Sequence, residues 1–199
     1  MKIVLATNNK DKIREIKNIL SDLSAEILTL EDFPNSPKVE ETGKTLDENA
    51  ILKAKSIHQF TGLPSVADDS GLEVDALNGA PGVLSSRFAG EHCSYQDNNR
   101  KLLSLMKDIP WEKRGAKFVC VVALAKDINH IVTVKEEVGG FIAFEEKGEN
   151  GFGYDPVFYS PELHQTFAQL SLAEKNKISH RARAFMKAKE LIQKGFLND

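Results

Sequence analysis

"KIVLATNNKDKIREIKNIL", residues 2–20, is the stretch whose reading decides the fold class. Lys2 to Ala6 is an apolar run of the length of a buried strand, and from Lys10 the apolar residues Ile13, Ile16 and Leu20 recur at helical spacing. Between the two, Asn8 or Asn9 offers a side-chain oxygen to cap the helix. A strand running straight into a helix points to the α/β class.

Working outward, the polar, proline-bearing segment 33–43 ends in Val39-Glu40-Glu41-Thr42-Gly43. A second helix opens at the capping box Thr45-Leu46-Asp47-Glu48, puts Asn49 and Lys53 on one face and stops at Gly62 and Pro64. Val66-Ala67 reads as a short strand into Asp68-Asp69, Ser70-Gly71 as a turn, and Leu72, Val74 and Ala76 as an alternating second strand. A third helix starts at Ser94 with Leu102, Leu105 and Met106 inward, and Phe118 to Ala125 is a strand buried on both faces. His130 to Lys135 and Val138 to Phe144 read as strands joined through, or interrupted near, Gly139-Gly140, and Tyr154 to Tyr159 as another. The last helix opens with the box Ser171-Leu172-Ala173-Glu174 and turns Ile178, Ala182 and Phe185 inward.

The whole chain sets bounds on partners. At 199 residues with 41% apolar and 28% charged residues it has the composition of a globular protein with a substantial core. A net charge of -3 gives no general attraction to nucleic acid, so a phosphate ligand needs a locally built site. Residues 3–6 are too short for a signal-peptide core, and no apolar run approaches the roughly 20 residues that span a bilayer. Cys93 and Cys120, the two cysteines, read as thiols of a reducing compartment, so the expected location is cytoplasmic.

Four groups of residues can carry chemistry. Thr7-Asn8-Asn9-Lys10-Asp11-Lys12 lies at a helix start, where backbone N–H groups attract anions and the lysines add charge; the alternative is an Asn cap with solvated lysines. Glu40-Glu41 and Asp68-Asp69 offer the carboxylate oxygens that hard cations such as Mg²⁺ prefer, though solvated turn acids need no metal. Gly151-Phe152-Gly153-Tyr154-Asp155-Pro156 frees a ring to stack on a flat ligand, or is a bulge with a core Phe. Lys175, Lys177, His180, Arg181 and Arg183, on the last helix, form two neighbouring basic stripes, or simply a solvated face.

Thr7-Asn8-Asn9-Lys10-x-Lys12, Glu40-Glu41-Thr42-Gly43, Glu48-Asn49-Ala50-x-x-Lys53-Ala54, Ala67-Asp68-Asp69-Ser70-Gly71-Leu72, Gly79-Ala80-Pro81-Gly82, Gly151-Phe152-Gly153-Tyr154-Asp155-Pro156 and Ile178-Ser179-His180-Arg181 together resemble, in residues and order, the inosine triphosphate pyrophosphatase family, also called XTP/dITP diphosphatases. The likeness runs from Lys2 to about Leu191. It implies a single nucleoside triphosphate pyrophosphatase domain over 1–199, built as two lobes around a long, twisted mixed sheet with flanking helices and an active-site cleft between the lobes. The implied assembly is a homodimer, with no nucleic-acid or membrane partner. The implied reaction is Mg²⁺-dependent hydrolysis of ITP, dITP and XTP to the monophosphate and pyrophosphate.

By position, the resemblance makes Asp69 the general base and a metal ligand, with Glu40, Glu41 and Asp68 as further candidate ligands. It assigns Thr7, Asn8, Asn9, Lys10, Asp11, Lys12 and Lys53 to the triphosphate. Ser70, Phe152, Gly153, Tyr154, Asp155, Lys175, His180 and Arg181 become the remaining substrate contacts. The chain departs from the family at Ala168-Gln169-Leu170, where members often carry a glutamate. Two rivals stay open: a nucleotide-binding protein without catalysis, and a pyrophosphatase of the septum-associated Maf type acting on pyrimidine or modified nucleotides.

Overall fold

The computed structural model describes residues 1–197. Its elements are β1 (Lys2–Leu5), α1 (Lys10–Ile19), β2 (Glu26–Leu28), α2 (Leu46–Thr61), β3 (Ser65–Val74), α3 (Tyr95–Leu105), β4 (Gly115–Ala125), β5 (Ile131–Ile142), β6 (Phe158–Ser160), β7 (Gln165–Thr166), α4 (Leu172–Ile178) and α5 (His180–Gln193). The strands form one open sheet in the order β2-β1-β3-β4-β5-β6-β7. The sheet is mixed: β1 pairs with β2 and β3 in parallel, while β6 pairs with β5 and β7 antiparallel. The α/β class is therefore as expected from the opening stretch, and the mixed sheet with flanking helices is as the resemblance implied.

The chain divides into two compact units, one made of residues 1–69, 120–136 and 181–199 and the other of residues 70–119 and 137–180. β3, β4 and β5 each supply residues to both. In β4 the period-two pleat puts Cys120, Val122 and Leu124 into the core of the first unit, with Ile3, Leu5, Ile16 and Phe185. Ala116 and Phe118, of the same parity, belong to the core of the second, with Leu72, Leu102, Tyr154 and Phe158. Val119, Val121 and Ala123, of the opposite parity, are fully buried too, so this strand is covered on both faces.

Local signals placed the helix ends well. Asn9 is the cap of α1, its side chain accepting from the N–H groups of Asp11 and Lys12. The Thr45 side chain accepts from Glu48 N, but the Glu48 carboxylate turns to Lys44 N, so only half of the expected box closes. Gly62 ends α2 in the left-handed conformation at φ 68.

Four expectations are corrected. β3 runs unbroken through Asp68-Asp69-Ser70-Gly71, and Ala76 lies in a 3₁₀ turn beyond it. Gly71 is there for close approach rather than for a turn, since a Cβ would stand 2.5 Å from Gly82 O. Of the two readings at Gly139-Gly140, joined or interrupted, β5 takes the first and runs on through both; glycine permits the close β5–β6 approach, since at Gly140 a Cβ would meet Tyr159 O at 2.5 Å. Of residues 154–159 only Phe158 and Tyr159 are in a strand, since the preceding residues fold into a loop. The last helix is two helices, because Ser179 adopts an extended conformation (φ -66, ψ 153) between α4 and α5. Leu105, expected inward, is 49% exposed, whereas Leu102 and Met106 are fully buried.

Candidate active site

In the first unit the site is built on the middle of β3 and the face of α2. Asp69 is held by both of its oxygens: Lys53 Nζ lies 2.8 Å from Oδ1, and Asn49 Nδ2 donates to Oδ2 at 3.2 Å. The shared helix face read from the spacing of Asn49 and Lys53 thus clamps one carboxylate. Lys53 also reaches Glu41 at 2.7 Å, and Asn49 Oδ1 accepts from Gly43 N at 2.8 Å, drawing in the loop that carries Glu41. Gly43 permits this closure, since its Cβ would stand 2.6 Å from Asn49 Oδ1.

The electrostatics follow from burial. Burial and the nearby Glu41 charge raise the Asp69 carboxyl above its usual value, against the opposing pull of Lys53 and Lys12. For Lys53, burial would lower the ammonium, but Asp69, Glu41 and Asp68 outweigh it and hold it above the usual value. The result is a carboxyl raised above its usual value beside an ammonium whose charged form is favoured. Two carboxylates meeting at one cation also match what Mg²⁺ takes from a protein, namely one or two carboxylates with substrate phosphate and water at the other positions.

Asp68 points elsewhere. Its Oδ2 lies 3.0 Å from Lys12 Nζ and 3.2 Å from Arg181 Nε, and its side chain is wholly buried. Burial would raise this carboxyl, but Lys12, Arg181 and Lys53 hold it well below the usual carboxylate range. Arg181 is itself bound by Glu15 of α1, Nη1 to Oε2 at 2.7 Å, with Glu15 only 1% exposed. Burial opposes the Arg181 charge and the two carboxylates outweigh it, so its guanidinium is held above its usual value.

Among the four acids read from the sequence, the structure therefore joins Glu41 and Asp69 through Lys53, commits Asp68 to Lys12 and Arg181, and leaves Glu40 exposed. Among the described residues no group of three or more His, Cys, Asp or Glu is arranged for a metal. In the first loop, Asn9 caps α1, Asp11 pairs with Arg14 at 3.3 Å, Asn8 and Lys10 are exposed, and Thr7 Oγ1 accepts from Asn9 N at 3.2 Å.

In the second unit, residues 151–155 close on Asp155. Its Oδ2 accepts from Phe152 N at 2.8 Å and pairs with the buried Lys175 of α4. Gly151 and Gly153 take φ +72 and +63, and a Cβ on Gly151 would fall 2.1 Å from that carboxylate, so the loop requires glycine there. Lys175 Nζ stands 4.9 Å from the centre of the Phe152 ring. Tyr154 is a core residue whose hydroxyl donates to Ser85 O at 2.9 Å, and burial raises that phenol above its usual range. His180 stacks on Phe118 at 4.5 Å and 15°. Ser70 is half-buried.

Splitting the last helix breaks the expected Lys177–Arg181 stripe, with Lys175 and Lys177 on α4 and Arg181 on α5, while His180 and Arg183 stay together on α5. Gln169, the position read from the sequence as a departure from the family pattern, accepts from Thr166 N at 3.0 Å and caps a 3₁₀ turn, a task that an amide oxygen performs as well as a carboxylate. Sequence reasoning missed Glu15 and Asn99. The one available signal for Glu15 is that it shares the buried face of α1 with Ile16 and Ile19, which is an unusual place for a carboxylate without a partner.

The Ham1 family model matches residues 3–191. The chain is 49% identical to the dITP/XTP pyrophosphatase of Desulforamulus reducens over 198 residues, covering 100% of this chain and 98% of that protein. It is 49% identical to the dITP/XTP pyrophosphatase of Geobacter sulfurreducens, with 95% of each chain covered. A HAM1 protein from Coxiella burnetii superposes with a TM-score of 0.89 at 41% identity, covering 98% of this chain and 100% of that one. The Staphylococcus aureus Ham1 protein gives 0.86 at 42%, covering 98% and 99%. The resemblance read from the motif order is borne out, and the chain belongs to the Ham1 family.

Proposed function

We propose that the protein hydrolyses ITP, dITP and XTP to the nucleoside monophosphate and pyrophosphate, clearing them from the nucleotide pool. The observation that carries this reading is the Asp69 carboxylate, gripped by Lys53 and Asn49 and shifted toward proton uptake. A general base works best when its proton affinity approaches the operating pH. Asp69 orients a water and takes its proton as the oxygen attacks the α-phosphorus; the bond to the bridging oxygen breaks and pyrophosphate leaves with that electron pair.

Glu41 and Asp69 are the residues that would hold Mg²⁺. When bound, the ion screens the triphosphate and the negative charge developing on the leaving pyrophosphate. Thr7 to Lys12, together with Lys53, are assigned to the triphosphate, with Asp68 fixing the direction of Lys12. Phe152 supplies a ring face for the purine, and Lys175, Asp155, Ser70, His180 and Arg181 complete the substrate contacts. Donors aimed at a 6-oxo group discriminate against adenine, whose amino group cannot accept them.

The test is pyrophosphate release from ITP, dITP, XTP, ATP, GTP and the pyrimidine triphosphates, with and without Mg²⁺. The expected result is turnover of the first three, with ATP slower by about 10²-fold or more, and loss of activity on chelation that Mg²⁺ restores. Binding of ITP without pyrophosphate release would mean a non-catalytic protein, and a preference for pyrimidine triphosphates a Maf-type enzyme. Phe152→Ala is expected to raise KM for ITP by roughly 5- to 100-fold through lost stacking; an unchanged KM would place the ring in the core instead. The proposal extends to a cytoplasmic homodimer, which light scattering on the purified protein tests as a mass of twice 22.1 kDa.

A further inference from the structure

α3 reaches the 151–155 loop with two side chains. Asn99, at 2% exposure, donates from Nδ2 to Gly153 O at 3.1 Å. Tyr95 lies four residues earlier, hence on the same helix face, and its ring centre is 5.9 Å from that of Phe152 at an angle of 46°.

Neither residue is explained by the stability of the fold. Tyr95 is 41% exposed, so its ring adds little to the core. Asn99 is buried, yet its Oδ1 has no hydrogen-bond partner among the described residues. A buried, unsatisfied carbonyl is a cost that a leucine of similar volume would avoid. What the amide provides is its donor to Gly153, a residue in the left-handed conformation whose carbonyl sets the direction of the next peptide.

We infer that Tyr95 and Asn99 are positioning residues for the purine: Tyr95 limits the swing of the Phe152 ring, and Asn99 fixes the Gly153 backbone on which that ring is carried. The inference rests on the proposed stacking of the base on Phe152. It makes the first two turns of α3 a determinant of base recognition, while the groups assigned to the phosphates lie on the loop before α1, on α1 and on α2.

The experiment compares Tyr95→Ala, Tyr95→Phe, Asn99→Leu and Phe152→Ala in steady-state ITP hydrolysis. Inorganic tripolyphosphate serves as a competitive inhibitor that carries the phosphate chain without a base. Tyr95→Ala and Asn99→Leu are expected to raise KM for ITP roughly 2- to 10-fold, the scale of one aromatic contact, with kcat and the tripolyphosphate Ki unchanged. Tyr95→Phe, which keeps the ring, restores KM. If Phe152→Ala raises KM while Tyr95→Ala and Asn99→Leu do not, the inference falls and the stacking proposal stands. If Phe152→Ala leaves KM unchanged, both fall together. A parallel rise in KM and in the tripolyphosphate Ki would mean general loosening and would overturn the positioning role.

Discussion

Asp69→Asn is expected to lower kcat for ITP by about 10³-fold or more, since it removes the proposed base, worth roughly 10²–10⁴ by itself, together with a candidate Mg²⁺ ligand. The fold is expected to survive. Burial already biases this carboxyl toward its neutral form, so an uncharged amide of nearly the same volume suits the pocket. Lys53 keeps Glu41 as a partner at 2.7 Å. The asparagine oxygen can still accept from Lys53, while its amide nitrogen loses the bond from Asn49, a change of about 1 kcal/mol. At roughly 2–4 °C per kcal/mol for a chain of this size, Tm should move by only a few degrees. Pyrophosphate release and a thermal melt on the same preparation check both halves, and near-normal turnover would remove Asp69 from the mechanism.

Arg181→Met is expected to have the largest effect on stability. The guanidinium is 3% exposed and holds two buried carboxylates, Glu15 and Asp68. Methionine fills much of the volume but takes the guanidinium away from both Glu15 and Asp68, the latter keeping Lys12. Removing one partner of a buried ion pair costs about 3–5 kcal/mol, because the remaining charge is uncompensated, which corresponds to a Tm lower by roughly 6–20 °C. Glu15→Gln/Arg181→Met removes the Glu15 charge as well and should recover part of the loss. A double variant no more stable than Arg181→Met alone would show that Glu15 is not what Arg181 neutralises. Activity should fall in both variants, since Arg181 is also proposed to contact substrate.

The two variants bear on adjacent residues of one strand, the first on Asp69 directly and the second on Asp68 through its partner Arg181 of α5. Side chains alternate across a strand, so Asp69 turns toward α2 and the Glu41 loop while Asp68 turns toward α1 and α5. Asp69 is the acid proposed for chemistry, and Asp68 pairs with the cations Lys12 and Arg181.

What the sequence determined by itself are the features encoded within a few residues of one another. The β1–α1 start, the caps at Asn9, Ser94 and Ser171, the stop at Gly62 and the doubly buried β4 all follow from periodicity and capping chemistry, and the structure has each of them. The order of the motifs was enough to identify the family. What only the tertiary structure decided depends on groups distant in the chain. Whether Gly71 turns the chain or lets it pass depends on Gly82 lying against it, and nothing in Asp68-Asp69-Ser70-Gly71 announces that neighbour. The division of labour between Asp68 and Asp69 is set by Arg181, 113 residues away, and Glu15 finds its role with that same arginine across 166 residues. Burial makes these charges choose partners, because an unpaired charge away from water is too costly to keep. Local sequence shows the charges, and only the fold shows which of them meet.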